Sequence, residues 1–305
     1  MNSKLIIAGG TGLIGSRLIS FLNPHFEKIV VLSRSQSRVM PDHRVVQWDA
    51  KNLGSWCSEL KDADILINLT GKSIQCRFTD QNKIDLVTSR VDATMVLGKA
   101  LMEKEHKIHT WFNASGSAIY PQSRDTPMDE QVTESGKGFL AELSEIWEKA
   151  FFHHSLKVRR IALRIAPVLD AQEGAFIPIK RLAKLGLGGA QGPGNQMMSW
   201  IHQADFCAAV LHIINKKDIQ GPVNMCSPSP VPNREFMRIT CKAVGMPIGL
   251  PAPSFLIKIG TRIAGVDPSL VMDSQYLSPR KLLKSGFDFH YPELDGALNE
   301  IIRSA

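Results

Sequence analysis

Gly9, Gly10, Thr11, Gly12, Leu13, Ile14 and Gly15 follow an apolar run and open directly into helical periodicity. A G-x-x-G-x-x-G turn in that position is built to cradle a pyrophosphate. Its glycines allow a tight turn, bring phosphate oxygens up to backbone N–H groups and let helix and strand pack closely, while the helix N-terminus adds positive potential. The next apolar run selects the dinucleotide. An NAD site places Asp or Glu about 20 residues on, to accept from the ribose 2′-OH. Here Ser33 and Arg34 end that run, no acidic residue lies between Glu27 and Asp42, and Arg38 follows. Arg pairs bidentately with a 2′-phosphate and Ser donates a hydrogen bond, so the residues favour NADP(H) over NAD(H).

Groups for proton transfer are sparse. The only tyrosines are Tyr120, Tyr276 and Tyr291, and four residues after them stand Arg124, Arg280 and Asp295, so there is no Tyr-x-x-x-Lys pair. Ser115 and Tyr120 close another apolar run and are placed to share one face of a pocket. His202, inside Trp200-Ile201-His202, reads as a hydrogen-bonded core residue, and Asp205 as the N-cap of a helical run from Phe206 to Ile214. Glu142 reads as solvent-facing. No His, Asp, Glu or Cys grouping has metal-ligand spacing, and neither a G-x-S-x-G elbow nor a P-loop lysine is present.

Composition narrows the class. Lys plus Arg exceed Asp plus Glu by 36 − 29 = 7 over 305 residues, but the basic residues are scattered in pairs such as Arg159 with Arg160. That is a solvated surface, without the stripe or aromatic interleaving of a nucleic-acid binder. Five cysteines without a C-x-x-C pair point to a reducing compartment, and the short apolar run Leu5–Ala8 is no leader. The longest candidate for a membrane span, Phe255–Ala264, is interrupted by Lys258 and Arg262 and falls short of the roughly 20 residues a span needs. A cytoplasmic protein with no membrane partner is expected.

The elements that must position these residues alternate. Nearly continuous apolar runs at Lys4–Ala8, Lys28–Leu32, Arg44–Trp48, Ile65–Leu69, Trp111–Ala114 and Val158–Ile165 read as parallel strands covered on both faces. Between them, Leu13, Ile14, Leu18, Phe21 and Leu22 recur at helical spacing, as do Ile84, Val87, Val91, Met95 and Met102, and then Phe139, Leu140, Leu143, Trp147 and Phe151. The pattern predicts an α/β fold with a doubly wound parallel sheet. After Ala166, prolines and glycines break the rhythm. Residues 1–166 are therefore read as a nucleotide-binding domain, with 203–226 packing back on it, and 167–202 with 227–305 as a smaller, mostly helical C-terminal lobe.

GGTGLIG (9–15), VLSR (31–34), INLTGKSI (67–74), SGSAIY (115–120), LRIAPVL (163–169), GPGNQMMSWIH (192–202) and SPRKLLKSGFDFHYPELDGAL (278–298) together resemble the extended short-chain dehydrogenase/reductase superfamily. That superfamily includes nucleotide-sugar epimerases and dehydratases, and the likeness is narrower still to its YfcH-like epimerase family proteins. The resemblance implies a Rossmann-like sheet with a C-terminal substrate lobe. It also implies NADP(H) contacts at Gly9, Thr11, Gly12, Leu13, Ile14, Gly15, Ser33 and Arg34, and further ones at Asn68, Leu69, Thr70, Asp85, Arg90 and Val168. In the superfamily a Ser after the fifth strand polarises the substrate oxygen and a Tyr-x-x-x-Lys exchanges the proton. Ser115 corresponds to that Ser, but the positions expected to hold Tyr and Lys are Phe139 and Leu143. Tyr120 is then the candidate proton donor. Nucleotide-sugar relatives carry an Arg where this chain has Met198, a loss of about 1.5–3 kcal/mol toward a diphosphate. Two readings follow: an NADP(H)-dependent oxidoreductase or nucleotide-sugar epimerase-like enzyme, or a non-catalytic NADP(H)-dependent redox sensor or scaffold. Relatives pair through helices corresponding to 80–105 and 137–152, which implies a homodimer that no residue pattern here requires.

Overall fold

Runs that are apolar on both faces satisfy their backbone only as strands within a covered sheet. In the computed structural model, which describes residues 3–35 and 43–304, they form β1 (Lys4–Ala8), β2 (Lys28–Ser33), β3 (Arg44–Gln47), β4 (Ile65–Asn68), β5 (Thr110–Gly116) and β6 (Arg159–Ile165). Three short pieces follow, β7 (Val168–Leu169), β8 (Met197–Met198) and β9 (Ile201–His202), then β10 (Gly221–Met225) and β11 (Val231–Pro232). One seven-stranded sheet runs β10-β6-β5-β4-β1-β2-β3, all neighbours parallel. This is the doubly wound order anticipated from the alternating runs. β10 is the strand the sequence hides, because Gly221 and Pro222 open it; at a sheet edge such residues are tolerated, since the missing N–H can face away from the ladder.

The helices are α1 (Leu13–Leu22), α2 (Asp80–Glu103), α3 (Phe139–Phe152), α4 (Phe176–Lys184), α5 (Gln203–Asn215), α6 (Asn233–Ala243), α7 (Ser254–Ala264), α8 (Ser269–Met272), α9 (Arg280–Lys284) and α10 (Leu294–Arg303). Leu5 and Ile7 of β1 share a core with Leu18 and Ile19 of α1 and Phe206 and Val210 of α5. Ile6 and Ala8 face the other way, toward Ala93 and Leu97 of α2 and Phe151 of α3. Leu282, Phe287 and Phe289, from the stretch 227–305, also lie in the first core.

On α2 the expected apolar stripe is corrected. Leu86, Arg90, Ala93, Leu97 and Leu101 turn inward, while Ile84 and Met102 are exposed. The inward face is the one with small residues, Ala93, Gly98 and Ala100, which let the helix approach its neighbours closely. Hydrophobicity alone picked the opposite face.

Residues beyond Ala166 build a further core, including Leu169, Phe176, Trp200, Phe236, Leu298 and Ile301. Two buried carboxylates fasten these segments to α5 and α1. Asp205 accepts the backbone N–H groups of His290 and Tyr291 at 2.8 and 2.9 Å; it is not the expected cap, because α5 begins earlier and His202 Nδ1 accepts the Ala204 N–H at 3.2 Å. With Nδ1 accepting, His202 Nε2 carries the proton and donates to Glu300 at 2.8 Å, a core role as expected. Asp170 receives Arg17 of α1 at 2.9 Å, together with the Gln172 and Glu173 amides. Burial pushes Asp170 upward, but the Gln172 amide and Arg17 outweigh it and hold its pKa below the ordinary carboxylate value.

A carboxylate with a lowered folded pKa stabilises the protein above its unfolded pKa, and that contribution disappears as pH falls through the folded value. Asp170→Asn should therefore cost about 2 kcal/mol in urea titrations at neutral pH and show a shallower stability decline below about pH 4. A decline as steep as that of the unsubstituted protein would assign the acid sensitivity to another group.

Candidate dinucleotide site

β1 and β4 are neighbours in the sheet but lie on opposite sides of its topological switch, the place where open parallel sheets receive ligands. The glycine turn sits at the end of β1. Gly9 has φ +79°, and a Cβ there would stand 2.8 Å from the Leu69 carbonyl carbon. At Gly10 a Cβ would meet Ile19 and Val31 at 2.8 and 2.9 Å, and at Gly15 it would meet the Gly10 Cα at 2.6 Å. These three are glycine because the fold closes on them. Gly12 differs: it is exposed, and a Cβ would find nothing nearer than 3.6 Å. Its openness is on the ligand side, where backbone N–H groups must be approached. No side chain caps α1, and its first turn has no acidic residue, so the helix N-terminus presents its positive end outward. Thr11, Leu13 and Ile14 are half-exposed around it.

At the end of β2, Ser33 Oγ donates to the Ser35 carbonyl at 2.9 Å. Arg34 is exposed and makes no ion pair among the described residues. Arg38 lies outside the described residues.

Beyond β4, Asn68 is fully buried. Its amide donates to Asn113 at 2.7 Å and Thr94 at 3.2 Å, and its carbonyl accepts the Thr70 N–H at 3.0 Å. Leu69 bonds through its N–H to Ala8 at 2.8 Å. Thr70 Oγ1 is buried and has no hydrogen-bond partner among the described residues. Beside it Arg90 is buried with its guanidinium against Gly71 and 4.9 Å above the Trp147 ring, donating to the Leu86 carbonyl at 3.0 Å. No carboxylate pairs with it among the described residues; burial lowers its pKa to about 10, which leaves it cationic at neutral pH. Asp85 is set differently, bonded to Lys72 at 2.7 Å. That hydrogen bond lowers its pKa and ties the β4–α2 loop to α2. Val168 lies across the turn, its carbonyl and Leu13 both flanking Gly174. Asn68, Thr70 and Arg90 thus gather at one end, and Leu13 and Val168 at the other.

Ser115 and Tyr120 are brought together, but not as a polariser and an acid. Ser115 Oγ donates to Glu148 at 2.6 Å, and Glu148 receives Arg164 bidentately at 2.8 and 2.8 Å. Arg164 also donates to the Tyr120 hydroxyl at 2.6 Å, and that hydroxyl donates to Asn224 at 2.8 Å. Both protons are committed inside a buried network. Burial pushes the Tyr120 phenol up to about 12 despite Arg164, a poor match for proton exchange near neutrality. The expected roles of these two hydroxyls are therefore at odds with their partners. On α3, Phe139 stacks against Phe78 at 5.0 Å and Leu143 is buried. Glu148 and Arg164 are the residues missed in the sequence. The available signal was a charge within an apolar strand and another on an apolar helix stripe, each needing a buried partner.

A parallel sheet with a glycine turn at its switch point defines a dinucleotide-fold α/β protein. The model of the NAD dependent epimerase/dehydratase family matches residues 5–141, and a domain of unknown function, DUF1731, matches 252–301. Epimerase family protein YfhF of Bacillus subtilis is 30% identical over 98% of this chain and 98% of its own length. The mouse epimerase family protein SDR39U1 is 28% identical over 98% and 99%. This chain belongs to the NAD dependent epimerase/dehydratase family, as one of its epimerase family proteins. Among solved structures, human SDR39U1 with NADPH superposes with a TM-score of 0.85 at 28% identity, covering 99% of this chain and all of that one. UDP-N-acetylglucosamine 4-epimerase from Bacillus cereus shares the fold, with a TM-score of 0.76 at 18% identity over 99% and 96%.

Glu148→Ala leaves Arg164 buried and unpaired, and should cost about 3–5 kcal/mol in denaturant unfolding. In an alkaline absorbance titration Tyr120 should ionise near 12, and Tyr120→Phe should remove that step. A titration without a step near 12 in the unsubstituted protein would contradict the assignment.

Proposed function

We propose that this chain binds NADP(H) at the α1 turn and acts as an epimerase-family oxidoreductase that does without a tyrosine–lysine pair. The observation that carries the reading is the contrast at the turn, where Gly9, Gly10 and Gly15 are forced by internal contacts and Gly12 is open to a ligand. NADPH in the human relative supports the cofactor choice. Gly9, Thr11, Gly12, Leu13, Ile14 and Gly15 receive the pyrophosphate, while Arg34, with Ser33 fixing its turn, meets the 2′-phosphate. Asn68 holds the β4 exit, so that Leu69 and Thr70 stand along the cofactor, and Val168 closes its opposite side. Thr70 Oγ1 offers an unused hydrogen bond and Arg90 a buried cation, with Asp85 steadying the loop between them through Lys72.

Bound, the cofactor supplies hydride transfer. The chain contributes orientation, a fixed positive charge at Arg90 and, at Phe139 and Leu143, hydrocarbon that excludes water where the superfamily has its proton relay. Met198 in place of an arginine favours a small polar substrate over a nucleotide diphosphate. The second reading, an NADP(H)-dependent redox sensor or scaffold, draws on the commitment of both Ser115 and Tyr120 to the buried network. A homodimer through α2 and α3 has support in exposed Ile84, Met102 and Ile146. The five cysteines are free, in keeping with a reducing compartment.

Calorimetry should give tighter binding of NADPH than of NADH, and Arg34→Ala should weaken NADPH by about 10- to 100-fold with NADH nearly unchanged. Equal affinities in the unsubstituted protein would defeat the choice of cofactor. A panel of carbonyl compounds with NADPH separates the two readings: turnover supports the enzyme, and silence with tight NADPH binding supports the sensor.

A further inference from the structure

The apolar stretch broken by Lys258 and Arg262 folds as α7, and it is turned the wrong way for a core helix. Only Ile257 and Thr261 are buried, whereas Phe255, Leu256, Ile259 and Ile263 are 62, 46, 53 and 82% exposed. At helical spacing these four lie on the side opposite the buried pair. Gly260, between them, would meet nothing within 4 Å if it carried a Cβ. The patch extends through the preceding loop. Leu250 bonds to Gly186 and Gly189 at 2.8 and 3.0 Å, which sets exposed Ile248 and Leu250 beside exposed Leu185 and Leu187.

The segments that form this surface carry no acidic residue. No acidic residue occurs between Glu173 and Asp205, nor between Glu235 and Asp267. Arg238 and Lys242 are taken up by Glu235 and Asp295, but Arg181, Lys184, Lys258 and Arg262 are exposed and make no ion pair among the described residues. Two copies meeting here would oppose like charges. A protein interface carries about one hydrogen bond per 100–200 Å², yet positions 255, 256, 259, 260 and 263 have no side-chain donor or acceptor. An apolar helix face flanked by lysine and arginine is instead the pattern of a helix lying in a membrane interface. Anionic headgroups supply the missing sign.

We propose that α7 docks this protein peripherally on an anionic lipid surface. Phe255, Leu256, Ile259 and Ile263 enter the acyl boundary, and Lys258 and Arg262 meet headgroup phosphates. This amends the expectation of no membrane partner. Among the described residues no helix is long and apolar enough to cross a membrane, and attachment here is to the surface alone. It is independent of the cofactor reading, because α7 contributes none of the residues assigned to NADP(H).

The test is co-sedimentation of the full chain with vesicles of phosphatidylcholine, with and without a one-third share of phosphatidylglycerol. Binding is expected only with phosphatidylglycerol, weakened by salt and by Lys258→Ala with Arg262→Ala. It should fall about tenfold or more in Ile259→Ser with Ile263→Ser, while thermal midpoint and NADPH affinity stay at the unsubstituted values. Should that double variant fail to fold, Phe255→Ser, in the first turn, gives the same comparison. Absence of binding to the phosphatidylglycerol vesicles overturns the proposal, as does binding that survives the serine substitutions. Sedimentation velocity closes the remaining route: an oligomer dissolved by the same substitutions would mean that a second copy covers this face, and the lipid proposal falls.

Discussion

A guanidinium inside a parallel strand governs much of this architecture. Arg164 is flanked on β6 by aliphatic neighbours and is more than nine-tenths buried, so its charge has to be met within the protein. Glu148 of α3 meets it through both carboxylate oxygens. The remaining bonds of the pair spread outward, to Ser115 on β5 and to Tyr120, which passes to Asn224 on β10 and from there to the carbonyls of Met128 and Ser278. One charge thus registers three strands, one helix and the approach to the C-terminal segment. Buried ion pairs add little net stability over an apolar substitute. What this one fixes is the position of α3 on the strands it covers.

Phe139 and Leu143 begin the same helix that carries Glu148, so its first turns give packing and its later turns a charge clamp. Arg90 stacks on Trp147, one turn further along α3 from Leu143. A buried cation thus reaches this helix from α2.

Strands and the phosphate turn were legible because their causes are local. An apolar run bounded by polar residues has one way to be covered on both faces, and the glycines lie consecutively beside the strand they terminate. The inward face of α2 was not legible, since it depends on how closely another helix approaches; small residues won over large ones. Asp205 looked like a cap from its neighbours and is a clamp for a loop 85 residues on. The Ser115–Glu148 and Tyr120–Asn224 bonds span 33 and 104 residues. No local pattern carries such pairings, although Arg164 in an apolar strand announces that a partner exists.

The contact between Gly9 and the Leu69 carbonyl has a thermodynamic consequence. With no room for a methyl group between the turn and the exit of β4, the two cannot move closer, and Asn68 holds that exit through the Thr70 N–H. The Gly9 end of the turn is therefore placed by the fold before any ligand arrives. Less conformational entropy is lost there on binding, and discrimination among anions rests on whether the ligand fits the turn.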